Sequence, residues 1–329
     1  MFAALAAAEN GNQVILLEQN EKLGKKLFIT GKGRCNVTNA GEMDTLFANV
    51  NRNPKFLYSA FYAMDNFRVM DFFEQHGVPL KTERGNRVFP VSDHSSDIIR
   101  ALADALKAAK VTVRLHEKVA HLCGSGGKIT GVSLGNGQKE EADAVIVATG
   151  GISYPSTGST GDGYRFAEEA GHTIQMPQPS LVPLLTKEAY IPRMQGLALK
   201  NVCIRISDGK KTLFEDFGEM LFTHFGISGP LVLSASSRIG SILVKKELSM
   251  QIDLKPALSE EQLDLRLLRD FDENRNRQFK NAIHGLLPAK MLPVVIQLSG
   301  IDPEKKIHEV TREERMQLIR LLKAFPLTL

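Results

Sequence analysis

The stretch MFAALAAAENGNQVILLEQNE, residues 1–21, decides the fold. Alanine is the best helix former, so Phe2 to about Glu9 should be a short helix. Asn10-Gly11 stops it, because glycine supplies the left-handed turn that ends helices. Val14 to Leu17 is a short apolar run suited to a buried parallel strand, and it ends in the acid Glu18. Helix, turn and strand form the second half of a β-α-β nucleotide-binding unit, which calls for a first strand and a glycine loop elsewhere.

Composition narrows the function. The chain has 329 residues, 43% hydrophobic and 24% charged, enough for one large domain or two to three smaller ones. Net charge is +4 with a pI near 8.8. No lysine/arginine block stands above the background, so no nucleic-acid partner is expected. Cys35, Cys123 and Cys203 lie far apart and form no C-x-x-C pair, which argues against a dithiol centre or a metal knuckle. Their odd number suits a reducing compartment. No apolar run approaches membrane-spanning length, and residues 1–8 lack the basic lead-in of a secretory signal. The expected location is the cytoplasm, without a membrane partner.

Further along, residues 54–76 show helical apolar spacing up to Gly77, and residues 78–92 read as a hairpin turning at Gly85-Asn86. Ser92 or Asp93 can cap a helix running to about Ala109 that buries Ile98, Ile99, Leu102 and Leu106. VTVRL at 111–115 is a strand, hairpin-like segments follow to Leu134, and DAVIVA at 143–148 reads as a second buried strand. After about residue 190 apolar and polar residues alternate as in an antiparallel β module, closing with MQIDLKP at 250–256. Helices dominate from Ser259, where SEEQ resembles a capping box, to about Lys323. FPLTL at 325–329 reads as the start of a strand.

Three segments carry chemistry. At the carboxyl end of its strand Glu18 can accept hydrogen bonds from both ribose hydroxyls of an adenine dinucleotide, the alternative being an exposed acid at a strand end. GKKLFITGKGRCNVTN, residues 24–39, places Lys25, Lys26, Lys32 and Arg34 around Gly31 and Gly33, with Asn36 and Thr38 as donors. Such a loop suits a pyrophosphate, or is a solvated basic loop; its spacing is not that of a phosphoryl-transfer P-loop. VIVATGGISYPSTGSTGDGYRFAEEAGH, residues 145–172, empties a strand into glycines at 150, 151, 158, 161 and 163 before a helix near Asp162. His224, in LFTHFGISGP, reads as a structural hydrogen-bonder rather than a catalyst. Cys35 has cationic neighbours yet no second thiol, so packing is its expected role.

Together with GEMLFTHFGISGPLVLS (218–234), VILLEQNEKLGKKLFITGKGRCNVTN and the 145–172 segment resemble the BaiN/YhiN-like flavoproteins, NAD(P)/FAD-dependent and aminoacetone-oxidase-like. The resemblance covers essentially the whole chain. It implies an α/β fold in which a Rossmann-like FAD-binding domain carries an inserted antiparallel β-barrel-like module and a helical subdomain. The expected divisions are 1–189 for the FAD domain, 190–257 for the module, 258–323 for the helices and 324–329 for a return strand. It further implies that Glu18 holds the adenosine ribose, that Lys25, Gly31, Gly33, Arg34, Cys35 and Asn36 line the FAD, that Val119 offers its backbone to the adenine, and that Thr149, Gly150 and Gly151 touch the cofactor. FTHFGISGP would face the active side. Family members begin with an apolar strand and a G-x-G-x-x-G-type loop and end in a second glycine-rich segment, so truncation at both ends is expected. The activity implied is electron transfer from NAD(P)H through FAD to a small organic substrate; the alternative is a non-catalytic fragment that cannot retain FAD.

Overall fold

The computed structural model describes residues 1–329, and the chain divides into two compact units, Met1–Met176 and Pro177–Leu329.

In the first unit helix α1 (Phe2–Glu9) leads into strand β1 (Ile15–Glu18). Helix α2 (Lys25–Ile29), the short strand β2 (Thr38–Asn39), and helices α3 (Met43–Ala48), α4 (Tyr58–Ala63) and α5 (Asn66–Gln75) follow. The expected continuous helix over 54–76 is broken. Residues 54–57 are a 3₁₀ turn behind Pro54, and Asp65 interrupts the path to cap α5, accepting the Arg68 N–H at 2.7 Å. Strands β3 (Leu80–Glu83) and β4 (Arg87–Pro90) form the expected hairpin, and Asn86 takes the left-handed conformation at its turn (φ 57°). Helix α6 (Ser95–Ala108) has His94 as N-cap, just past the expected Ser92 or Asp93, while Ser92 Oγ bonds the Asp97 carboxylate. Of its expected apolar stripe Ile98, Leu102 and Leu106 are buried, with Ala105 beside them, while Ile99 is only half-buried.

Strand β5 (Thr112–Leu115) runs parallel to β1 in register, from Ile15 opposite Thr112 to Glu18 opposite Leu115. With α6 as crossover this is a β-α-β arrangement, whose ligands bind beyond the carboxyl ends of the strands. β6 (Val119–Ser125), β7 (Lys128–Leu134) and β8 (Lys139–Glu141) form a three-stranded antiparallel sheet. Helix α7 (Asp162–Glu169) closes the unit.

The strand expected at 143–148 does not form. These residues join no ladder, and Ile146 is 63% exposed. The ladder of β1 goes to β5 alone, and an extended segment without a neighbour to take its N–H and C=O groups gains nothing from the β conformation.

The second unit is built on a six-stranded antiparallel sheet, which starts earlier than the expected boundary of the β module. β9 (Leu184–Leu185), β10 (Ala198–Asp208), β11 (Lys211–Phe222) and β12 (Gly226–Ser228) precede helix α8 (Pro230–Leu243) and β13 (Ser249–Asp253). Helices α9 (Glu260–Glu273), α10 (Phe279–Ala282), α11 (Leu292–Ser299) and α12 (Arg312–Lys323) lead to β14 (Phe325–Thr328). The capping box at Ser259 and Gln262 is present, and FPLTL forms the strand its sequence indicates, paired with β13. The sheet runs β14-β13-β10-β11-β12-β9, and the Lys187 N–H donates to the Thr328 carbonyl at 3.1 Å, drawing its two ends together into a curled half-barrel. Phe222, Phe279 and Phe325 are fully buried in one core shared by sheet and helices. No helix of the protein is long and apolar enough to cross a membrane.

β12 and β9 touch so closely that a Cβ on Gly226 would lie 2.1 Å from the Leu184 carbonyl oxygen. Gly226→Ala is therefore expected to push β9 off the sheet and to lower unfolding stability by about 1–3 kcal/mol, read as a lower urea midpoint. An unchanged midpoint would show that the strands can part freely.

Candidate functional site

The site is built at the carboxyl end of β1. Glu18 Oε1 accepts two hydrogen bonds from the next residue but one, from Asn20 N and Asn20 Nδ2, each at 2.8 Å. This fixes the carboxylate at the strand's end. Asn20 Nδ2 also donates to the Thr157 carbonyl at 3.0 Å, and Gln19 Nε2 to the Gly158 carbonyl at 2.8 Å. The glycine-rich segment after residue 149 is thereby held against the strand end. Gly158 is left-handed (φ 95°), and a Cβ there would lie 2.6 Å from Asn20 Nδ2. The glycine is required by close approach, not only by flexibility.

Thr149, Gly150 and Gly151 belong to the same corner. The Gly161 N–H donates to the Gly151 carbonyl at 3.2 Å, and a Cβ on Gly163 in the first turn of α7 would lie 2.7 Å from Thr149 Oγ1. Thr149 and Gly150 are themselves exposed. The segment is thus a packed corner with its backbone open on one side.

The basic turn joins from the other direction. Lys26 Nζ donates to Ser153 Oγ at 3.2 Å, which links α2 to the residues just past Gly151. Lys25 is engaged elsewhere, in an ion pair with Glu21 at 3.2 Å. Gly31, Lys32 and Cys35 are all left-handed (φ 56°, 59° and 60°), so the chain coils tightly; a Cβ on Gly31 would lie 2.9 Å from the Asn36 nitrogen. Gly33 is also left-handed (φ 86°) but faces open space. Asn36 is exposed, and its amide, set so that the nitrogen rather than the oxygen faces the neighbouring carbonyls, donates to Val88 and Thr38 at 3.3 and 3.1 Å.

Two members of this turn act differently from what the sequence motif implies. The Arg34 guanidinium does not reach out to a ligand: it bonds Glu83 at 2.5 Å and Asp93 at 2.8 Å, and stands 4.2 Å over the Phe89 ring. Lys81 completes the group, 2.7 Å from Asp93. The Arg34 bond holds the Glu83 carboxyl below its ordinary range, and the Lys81 and Arg34 bonds do the same for Asp93. Arg34 therefore clamps the turn to the β3–β4 hairpin. Cys35 is 1% exposed in the core with Phe73, Ile98 and Leu102, and burial pushes its thiol up, away from the reactive thiolate. Its role is packing, as the sequence reading expects.

Val119 opens β6, opposite Leu134, and is tied to the strand end through its neighbours: Glu117 N–H donates to the Glu18 carbonyl at 3.0 Å and His116 N–H to the Asn20 carbonyl at 3.1 Å. The structure thus brings Glu18, the 25–36 turn and the 149–151 corner into one contact network, with Val119 beside it. Sequence reasoning overlooked Gln19 and Asn20; the signal available was a pair of short amides directly after the acid. His224 lies in the second unit, exposed at the β11–β12 turn with its ring edge-on to Phe225. The shallow depression lined by Leu258, Leu265 and Leu268 along α9 shares no residue with this network.

A family model described as the HI0933-like protein Rossmann domain matches residues 1–307. The chain is 32% identical over 332 aligned positions to the 3-dehydro-bile acid delta(4,6)-reductase of Clostridium scindens, covering 100% of this chain and 80% of that protein. It is 28% identical over 325 positions to the ribosomal RNA dihydrouridine synthase of Escherichia coli, covering 98% and 76%. Among solved structures, the open conformation of a flavocytochrome c3 fumarate reductase is similar at a TM-score of 0.40 and 17% identity, over 91% of this chain and 58% of that one. The chain belongs to the HI0933-like Rossmann-domain family of FAD-dependent oxidoreductases, the BaiN/YhiN-like flavoproteins that its sequence resembles.

Proposed function

We propose that FAD lies along Glu18, the Gly31–Asn36 turn and the Thr149–Gly151 corner, and that the chain uses it to pass electrons from a reduced nicotinamide to a small ring containing a carbon–carbon double bond beside a carbonyl. The observation that carries the reading is the contact network joining those three segments at the carboxyl end of a parallel strand. The relatives' names support the reaction class, since a delta(4,6)-reductase and a dihydrouridine synthase both add two hydrogens across a ring double bond.

The residues present fit the group. Glu18 is a fixed acceptor for ribose hydroxyls, with both internal bonds taken by one of its oxygens. Glycine backbone exposed at 31 and 150 and half-buried at 33 admits a phosphate or a flat ring edge without a side chain in the way. Phe28, Ile29, Ile152 and Tyr154 are between 43 and 67% exposed around the corner, an apolar surface suited to a flavin ring. Lys26 and Lys32 place positive charge nearby for the pyrophosphate. FAD, when bound, supplies the hydride chemistry; the protein positions it. The overall balance is one hydride from NAD(P)H and one proton from water or a side chain added across the double bond, leaving NAD(P)⁺.

The direct test is the visible spectrum of the purified protein, followed by oxidation of NADH or NADPH in the presence of a cyclic enone. A stoichiometric yellow complex that consumes nicotinamide and enone one for one is expected; a colourless protein that takes up no added FAD would contradict the reading and favour a non-catalytic fragment. Glu18→Ala should weaken FAD binding by about 2–4 kcal/mol through loss of two charge-assisted hydrogen bonds. An unchanged dissociation constant would remove Glu18 from the ribose site. Arg34→Gln should loosen the turn and lower stability in a pH-dependent way. Glu83 and Asp93 have depressed values in the folded protein, so the stability they contribute is present above their ordinary range near pH 4 and is lost as pH falls through the depressed values. The wild-type advantage over Arg34→Gln should therefore be full at neutral pH and shrink below about pH 4. A difference constant across that range would show that the clamp is not ionic.

A further inference from the structure

We infer that the helical excursion of residues 42–68 is a docking surface for a second copy of this chain, paired with it across a two-fold axis. Helix α3, the 3₁₀ turn at Pro54–Leu57 and helix α4 contain no buried residue at all. Their own rings hold them together: Phe47 meets Tyr58 at 4.5 Å and Phe61 at 5.1 Å, and Tyr62 lies 6.4 Å from both Phe47 and Tyr58. The Arg68 guanidinium donates to the Ala63 carbonyl at 2.7 Å, which draws the first turn of α5 against the end of α4. Around the cluster Phe56 is 86% exposed and Tyr62 66%, while Tyr58, Met64 and Phe67 are each between 39 and 47% exposed. At about 200 Å² for a full aromatic side chain, these five leave roughly 500 Å² of mostly apolar surface in water. That is near the upper end of what a soluble monomer exposes in one patch, and more than half of the ~800 Å² that each partner buries in a standard interface.

Charge selects the occupant. The segment carries three acids, Glu42, Asp44 and Asp65, and three bases, Arg52, Lys55 and Arg68. Glu42 and Asp44 are exposed at the start of α3, and Arg52 and Lys55 are exposed beyond its far end. None of these four enters an ion pair within the chain. The helix between them has six residues and is about 9 Å long, so the two signs stand apart instead of cancelling where they are. A polyanion or a polycation would meet as much repulsion as attraction on such a rim. Rotation by a half-turn about an axis through the rings lays the acidic end of one copy on the basic end of the other, and does so twice. An unrelated partner needs a matching pattern of its own; a second copy already has it. Rings and a methionine at the centre with charges of both signs around them are the usual make-up of a protein–protein contact. Pairing of this kind also closes at two copies, so the exposed rings do not lead to open chains.

The inference is independent of the redox reading and is tested without turnover. Sedimentation velocity of the protein as purified, over a range of concentrations at low salt, should show a monomer–dimer equilibrium. Phe56→Ala and Tyr62→Ala should each raise the dimer dissociation constant about tenfold or more. Arg52→Glu with Lys55→Glu should abolish self-association, and so should Glu42→Lys with Asp44→Lys, because like charges then face each other across the axis. Mixed in equal amounts, these two monomeric variants should pair with each other, a rescue that a merely structural role for the four residues would not produce. All substituted positions are exposed, and circular dichroism checks that the variants fold. A second readout needs no variant: in the wild type, amide exchange over residues 43–64 should slow as concentration rises through the dimerisation range. A monomer at every concentration overturns the inference. So does a dimer indifferent to all of these changes, or a pair of charge variants that stay monomeric when mixed. A monomer that adheres to phosphatidylcholine vesicles through Phe56 overturns it as well, since the rings would then serve a lipid surface. Flavin content should not change in any of these variants, so failure of this inference is distinguishable from failure of the redox reading.

Discussion

The Asn20 side chain is the contact on which the site depends. Its Nδ2 bonds both the Glu18 carboxylate and the Thr157 carbonyl, so one amide fixes the acid at the strand end and pins the glycine-rich segment beside it. Gln19 and Lys26 add bonds to the same segment, which needs them: Glu18 ends a strand with a single neighbour, and the chain from Asp143 to Gly151 has no ladder of its own. A side-chain amide suits the task because it donates two hydrogens and can bridge an acceptor from each segment. Gly158 is the matching constraint on the other side, since any side chain there would displace the amide.

Around that contact the protein divides positioning from binding. Arg34 is the most basic residue of its loop, yet two carboxylates and an aromatic face absorb it. The clamp leaves the loop's backbone and Lys32 as the parts free to meet a ligand. Cys35 likewise faces inward, into the core, whereas Asn36 stays exposed. A sequence motif read as a row of ligands is, in three dimensions, a turn whose shape Arg34 and Cys35 hold. In the second unit sheet and helices share one core that includes Phe222 and Phe325.

Much of this was legible from residue pattern. The alanine helix, the Val14–Glu18 strand, the hairpin at Gly85-Asn86, the stripe of α6 and the capping box at Ser259 all follow from local chemistry acting over a few residues. The failures have a common cause. DAVIVA has the composition of a buried strand, but a strand exists only where a neighbour supplies a ladder, and local sequence does not say which neighbour is there. Arg34 has the composition of a phosphate ligand, but its partners Glu83 and Asp93 lie about fifty and sixty positions away. The break at Asp65 was readable in principle, as an aspartate capping three residues ahead of Arg68; the strong apolar period on either side masked it. The family itself came from resemblance, which the family match bears out.

The central claim is that three segments distant in sequence form one cofactor surface. Amide hydrogen exchange of the protein with and without FAD tests it most directly. The account calls for slowed exchange at residues 15–20, 30–36 and 149–161 together, with the second unit's sheet core unaffected. Protection confined to one of these segments, or appearing elsewhere while all three remain unchanged, would contradict it.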